Sequence, residues 1–245
     1  MNRPEPFPDG FLLVDKPAGI TSFRVVDRVK KRFRIAKLGH GGSLDPPATG
    51  LLVLLVNRAT KRAGMLLGGE KEYRATVRLG VETDTQDAAG RVLKRNEGFV
   101  VRRPEVERAL EGFRGEILQI PPMVSALKHR GERLYRIARR GEEVERPPRK
   151  VTISRLVLTG FSADRLDLLV CCSKGTYIRT LAHDLGRVLG PGGCLEKLRR
   201  TAVGPFRVED AAPLDRILEG TRESLAAGII PLGGGMEANS KTPDS

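Results

Sequence analysis

Cysteine is scarce in this chain: Cys171 and Cys172 are adjacent, Cys194 stands apart, and none of the three forms a CxxC pair. That spacing supports neither a disulfide framework nor a zinc site. Histidine is as rare, and His40, His129 and His183 are scattered without the intervals of metal ligands. No apolar run is long enough to span a bilayer. The opening "MNRPEPFPDG" has no apolar signal-peptide core, so a cytoplasmic protein is expected. No GxxxxGK[ST] loop is present, no GxGxxG between a strand and a helix, no GxSxG elbow and no internal repeat. The sequence therefore signals no cofactor, no metal and no Ser hydrolase triad. Any catalysis falls to carboxylate, hydroxyl, Tyr, Lys and Arg.

What is plentiful is positive charge. Lys and Arg number 43 against 30 Asp and Glu, a formal net charge of +13. A surplus of that size favours a polyanionic partner, and nucleic acid is the usual one. An anionic membrane surface is the weaker rival, because no strongly amphipathic basic helix stands alone at either end. With 245 residues, 40% apolar and 30% charged, the chain suits one large domain, or one domain and a small satellite.

"GFLLVDKPAGITS" opens with a short strand and a Pro/Gly turn. Ser22 can then cap a helix that carries Val25, Val29 and Phe33 on one face and Arg28, Lys31 and Arg32 on the other. "TKRAGMLLGG" reads as a short helix ended by Gly. "KEYRATVRLG" alternates Tyr73, Ala75, Val77 and Leu79 with Arg74, Thr76 and Arg78, the pattern of a half-buried strand. After the polar turn "TDTQDAAG", "RVLK" returns as a strand, and "RPEVERALEGFRG" is a helix with Pro104 near its start. "EILQIPPMVSALK" is extended and "GERLYRIARRG" is a short basic helix closed by Gly141. Two strands follow, "KVTISRLVLTGFS" and "RLDLLVCCS", then a helix over "TYIRTLAHDLGRVLG". "EKLRRTAVGPFRVED" reads as helix running into strand, and "PLDRILEG" as a last short helix. Strands close enough for hairpins, without a regular βαβ rhythm, predict an α+β fold: a mixed, largely antiparallel twisted sheet flanked by helices.

One stretch stands out, "KLGHGGSLDPPATGLLVLLV" at 37–56. Its apolar end fits a strand buried on both faces. Its Gly- and Pro-rich start is a loop that displays His40 and Asp45 beside that strand, the kind of place where sites tend to sit. Taken singly, each residue has a bland reading. Asp45 can form an Asx-turn, His40 can be structural, Tyr73 can be core with its hydroxyl satisfied, and Arg179 can be solvated.

Together the segments resemble a known family. "KPAGITS" at 16–22, "GHGGSLDPPATGLL" at 39–52, "KEYRA" at 71–75 and "LGVETDTQDAAG" at 79–90 look like successive signatures of the bacterial tRNA pseudouridine-55 synthases, TruB-type pseudouridine synthases. So do "PPMVSALKHRGERLYRIARRG" at 121–141, "CSKGTYIRTLAHDLG" at 172–186 and "LRRTAVGPF" at 198–206. They stand in family order from about Gly10 to Phe206. The resemblance implies that Asp45 is the catalytic Asp, that Tyr73 stacks on the target uracil and that Arg179 pairs with the Asp. It implies that Tyr177 and Leu198 line the pocket and that His40 helps hold the T loop open around the flipped base. Lys174 matches a basic residue near the site, and Lys16, with Pro17, a motif packing beside the active-site loop.

The implied reaction converts uridine to pseudouridine: the C1′–N1 bond breaks, the uracil rotates and C5 joins C1′. It needs no cofactor, redox partner or metal. A carboxylate serves it either covalently or by stabilising positive charge at C1′, and a nearby Arg favours the ionised form. The target base must be extruded from the T stem-loop of tRNA, at a cost of roughly a few kcal/mol. Phosphate contacts from "RVVDRVKKRFRIAK" and "KHRGERLYRIARR" can offset that cost.

The implied organisation is a catalytic domain over 1–235 with a thumb-like insertion around 119–150, and a disordered tail over 236–245. No complete C-terminal RNA-binding (PUA) domain is expected, and the protein is taken to act as a monomer. Ser43 stands where the family usually has Thr, which preserves the hydroxyl. Two rivals are kept: a non-catalytic protein that binds or folds RNA, and a glycosidic-bond hydrolase that uses the same Asp and releases free uracil.

Overall fold

The computed structural model describes residues 6–62, 64 and 68–232. The expected tail over 236–245 lies outside the described residues, as does part of the helix expected over 60–69. The chain divides into two compact units, one formed by Met1–Gly69 with Arg200–Ser245 and the other by Glu70–Arg199.

In chain order the first unit contributes β1 (Gly10–Lys16), α1 (Ser22–Phe33), β2 (Leu38–His40) and β3 (Thr49–Val56), followed by a 3-10 turn at Asn57–Arg62. The second contributes β4 (Lys71–Leu79), β5 (Val81–Thr83), β6 (Val92–Arg95), α2 (Arg103–Glu111), β7 (Gly115–Gln119), β8 (Lys128–His129) and β9 (Glu132–Arg133). It continues with α3 (Leu134–Arg139), β10 (Arg149–Phe161), β11 (Arg165–Cys172) and α4 (Ile178–Leu189). Strand β12 (Gly193–Val203) carries the chain back into the first unit, which ends with β13 (Phe206–Arg207), β14 (Ala212–Pro213), α5 (Leu214–Glu219), α6 (Arg222–Ala227) and β15 (Ile229–Pro231). The α+β expectation holds.

The first unit is organised by β3. It pairs antiparallel with β1, Gly10 opposite Val56 through Lys16 opposite Gly50, and with β2, where His40 faces Leu54. Strand geometry sends alternate side chains to opposite faces. Leu52, Leu54 and Val56 enter a core with Leu12, Val14, Val25, Val29, Phe33 and Leu214. Leu51, Val53 and Leu55 enter another with Phe11, Leu13, Val203 and Phe206. Two cores explain a run with no polar residue in it. Strands β1 and β14 pair in parallel.

Helix α1 buries Val25, Val29 and Phe33, as its spacing predicts, and Val26 as well, but its cap is Thr21, whose side chain accepts the Arg24 N–H at 3.1 Å. Ser22 is the first helical residue instead, and its hydroxyl is used elsewhere. A final helix, α6, capped by Thr221, was not anticipated.

In the second unit β4, β11, β10 and β7 form consecutive antiparallel pairs, with Tyr73 opposite Val170 and Gln119 opposite Arg149. Inward Tyr73, Ala75, Val77 and Leu79 are all buried, as the alternation predicts. α2 packs on α4. Within α4, a Cβ on Gly186 would meet the backbone of Gly192 and Gly193, so the helix lies almost directly on that turn. Burial pushes the Cys171 and Cys172 thiols up to about 11.

A second expectation fails. "EKLRR" at 196–200 is not helical but lies in β12. Leu195 and Leu198 mimic helical spacing, yet Leu195 donates its N–H to Gln86 and accepts from Ala88, so bonds distant in sequence override local propensity.

Gly50, the second residue of β3, sits at φ +99°, and a Cβ there would run into the Arg200 carbonyl oxygen and lie 2.8 Å from its nitrogen. Gly50→Ala is expected to cost at least about 2 kcal/mol from the unfavourable φ and the overlap together, measured by urea denaturation.

Candidate active site

In the first unit the loop between His40 and Thr49 carries Asp45. Such a loop has few ladder partners, and its carbonyls need donors from elsewhere. Three buried side chains supply them. Lys16, with no exposed surface, donates from Nζ to the carbonyls of Pro17 at 2.8 Å, Ile20 at 2.7 Å and Pro46 at 3.2 Å. Ser22 receives the Leu44 N–H at 2.8 Å and donates to its carbonyl at 3.2 Å. Arg200, 1% exposed, donates to Leu51 at 2.8 Å, Gly42 at 3.1 Å and Ser43 at 3.4 Å. The loop also closes on itself, through Ala48 N–H to the Asp45 carbonyl at 3.1 Å.

Asp45 is half-buried within this frame. Burial pushes the Lys16 ammonium down to about 8; the Asp45 carboxylate raises it and the Arg200 guanidinium lowers it further. Both cations therefore share the loop's electrostatic environment with Asp45. His40 is partly buried at the end of β2, and burial first, then Arg200, hold it below its ordinary 6.5. Its imidazole is thus uncharged at neutral pH, and Nδ1 makes no hydrogen bond among the described residues.

In the second unit Tyr73 stands on the buried face of β4, 7% exposed. Tyr177 occupies the residue before α4, where Gln119 clamps its backbone: Tyr177 N–H donates to Oε1 at 3.0 Å, and Nε2 donates to the Tyr177 carbonyl at 3.3 Å. Arg179, two residues later, is 4% exposed, against the solvated position an amphipathic helix suggests. Its guanidinium donates to the carbonyls of Thr85 at 2.9 Å and Val124 at 2.8 Å, and Nε lies 3.7 Å from an Asp87 carboxylate oxygen. Asp87 is itself fixed by the Thr85 hydroxyl at 2.7 Å and the Ala89 N–H at 3.1 Å. Lys174 is exposed in the turn before α4, and Leu198 is half-buried on β12.

The structure thus gathers Lys16, at the end of β1, and His40, at the end of β2, around the loop of the first unit that carries Asp45, and Tyr177 and Arg179 at one helix start in the second. Lys16 turns its amine to the Pro46 carbonyl of the loop and to the Pro17 and Ile20 carbonyls of the turn after β1. Arg200, Asp87 and Gln119 were missed by sequence reasoning. Each is a buried polar side chain with a partner distant in sequence, and no local pattern marks it. Among the described residues no group of three or more His, Cys, Asp or Glu side chains is placed to hold a metal ion.

The sequence matches the model of the TruB family pseudouridylate synthase (N terminal domain) over residues 30–178. The chain belongs to the TruB family of pseudouridylate synthases. The tRNA pseudouridylate synthase B C-terminal domain matches 179–233. The tRNA pseudouridine synthase B of Aromatoleum aromaticum is 50% identical over 224 residues, covering 91% of this chain and 72% of that protein. That of Bordetella avium is 47% identical, covering 91% and 96%. Among solved structures, a Cbf5–Nop10–Gar1 complex aligns at TM-score 0.71 and 28% identity over 94% of this chain and 65% of the matched one. An archaeal box H/ACA Nop10–Cbf5 complex aligns at 0.68 and 26%, and the chain spans 60% of its match.

Lys16→Met removes a donor from the Pro17, Ile20 and Pro46 carbonyls, of which Pro46 keeps the Gly19 N–H. It is expected to cost about 3 kcal/mol and to speed hydrogen exchange at the Gly19 and Ala48 amides, which close this loop. His40 gives a pH effect of definite sign. With its folded pKa below the unfolded 6.5, the unfolded chain binds more protons in the window under 6.5, so stability falls on acidification through it. His40→Gln should flatten that part of the stability–pH curve, read by urea midpoints from pH 7.5 downward.

Proposed function

We propose that the protein isomerises the T loop uridine of tRNA, position 55, to pseudouridine in the cytoplasm, with Asp45 as the catalytic carboxylate. The observation that carries this reading is the loop itself. Lys16, Ser22 and Arg200 each donate to carbonyls of the loop, at Pro46, Leu44 and Gly42, while Lys16 and Arg200 also hold the flanking Pro17, Ile20 and Leu51 carbonyls, which fixes the segment bearing Asp45 before any substrate arrives. Preorganised carboxylate chemistry needs such a frame.

In this reading the uridine flips out of its stack and its base lies on Tyr73, beside Tyr177 and Leu198. Arg179 pairs with Asp45 and favours its ionised form. Asp45 acts while the C1′–N1 bond breaks, and the freed uracil rotates to present C5 to C1′. When the C5–C1′ bond forms, the proton on C5 is lost and N1 is protonated. His40 helps hold the T loop open, and Lys174 meets RNA phosphate. The insertion around 119–150 closes over the stem-loop, and the basic surface offsets the cost of extruding the base. The near relatives bearing the tRNA pseudouridine synthase B name support the choice of substrate.

The test is tritium release from a tRNA transcript labelled at uridine C5. Wild type should release label from the T loop uridine, and Asp45→Asn should lose at least about a thousandfold in rate while its tRNA affinity changes less than about threefold. Tight binding without release by wild type would leave a non-catalytic RNA-binding protein. Free uracil among the products would indicate a hydrolase.

A further inference from the structure

The solvent face of α1 takes no part in the loop contacts described above. Arg24, Arg28 and Lys31 succeed one another at i, i+4 and i+7, and all three are exposed, so they form one stripe along the helix. At a rise of 1.5 Å per residue, the first and last are about 10 Å apart along the axis. Beside the stripe is a groove of about 480 Å³ lined by Arg24, Asp27, Arg28, Lys31, Arg32 and Leu218. Its lining holds four cations and a single carboxylate, and Lys31 already meets that carboxylate at 3.0 Å. Outside the lining, Asp215 lies 3.9 Å from Arg28, with both side chains well exposed.

The far wall is built rather than incidental. Arg32 donates to the Leu218 carbonyl at 3.0 Å and to the Gly220 carbonyl at 3.2 Å, which fixes its charge at the groove's edge. The near end of the helix is tied to the catalytic loop through Ser22 and Leu44. The stripe therefore begins within a turn of the segment bearing Asp45 and leads away along a helix about 18 Å long.

We propose that this groove docks the phosphodiester backbone of the RNA that flanks the reacting uridine. The inference rests on the RNA-isomerase reading and adds a surface to it. Evenly spaced cations in a concave strip suit successive phosphates. A membrane needs an apolar face beside the charges, and among the described residues lining the groove Leu218 alone is apolar. Such contacts are equal in ground and transition states, so they strengthen binding without speeding the chemical step.

The test compares two triple variants of the full chain on a full-length tRNA transcript. Arg24→Gln/Arg28→Gln/Lys31→Gln empties the stripe. Lys94→Gln/Arg95→Gln/Arg108→Gln removes the same charge from exposed positions of β6 and α2. Dissociation constants are measured across a salt series, and single-turnover tritium release at saturating enzyme. The stripe variant should bind about tenfold more weakly, with a log–log salt slope shallower by about 2 and an unchanged single-turnover rate. The control should shift affinity less than about threefold.

Equal shifts in both triples would mean that only overall charge matters and would overturn the proposal, as would wild-type affinity in the stripe variant. Displacement of RNA from wild type, but not from the stripe variant, by inorganic phosphate at matched ionic strength would also overturn it, because the groove would then be a free-anion pocket. Absence of turnover by wild type would instead defeat the underlying reading, whatever the triples do.

Discussion

A loop that leaves the sheet must find hydrogen-bond donors for its carbonyls, and here they come from buried cations. Burying an ammonium or guanidinium is costly unless its protons are used. Lys16 and Arg200 meet that condition because each places its donors on backbone oxygens of the segment they enclose or of the turns beside it. The dependence is mutual: the loop keeps its shape through these side chains, and they remain buried because the loop accepts from them. Neighbouring positive charge has a visible result in the depressed Lys16 and His40, for which burial is the larger cause and Arg200 an added one.

The second unit uses the same device. Gln119 grips both backbone polar groups of Tyr177, and Arg179 divides its guanidinium between two carbonyls and Asp87. A side chain anchored to backbone is located by the fold itself, whereas one anchored to another side chain inherits that partner's freedom. Side chains held this way approach the precision that chemistry at a bond requires.

Much of this was legible from periodicity. The apolar run at 51–56, the face of α1 and the alternation of β4 are local patterns whose physical cause is local geometry, and each became the element it suggested. Family-order motifs pointed to Asp45, Tyr73 and Arg179 as residues to inspect. Roles set by distant partners were opaque. Ser22 looks like a cap until Leu44 is seen beside it, and Arg200 looks like one more surface cation until its three carbonyls are in view. "EKLRR" has good helix formers throughout, and only its bonding partners make it a strand.

Strand β3 has a consequence for how such a sequence can change over time. Its odd and even residues belong to different cores, so adding or deleting one residue inside it would exchange the contents of both at once. Gly50 fixes its start against the Arg200 backbone, and the pairing of His40 with Leu54 fixes β2. The number of residues between His40 and Val56 is therefore not free to drift. Lineages descended from this chain can exchange side chains in the segment bearing Asp45, but insertion and deletion are closed to them there, and length variation must collect in other connections.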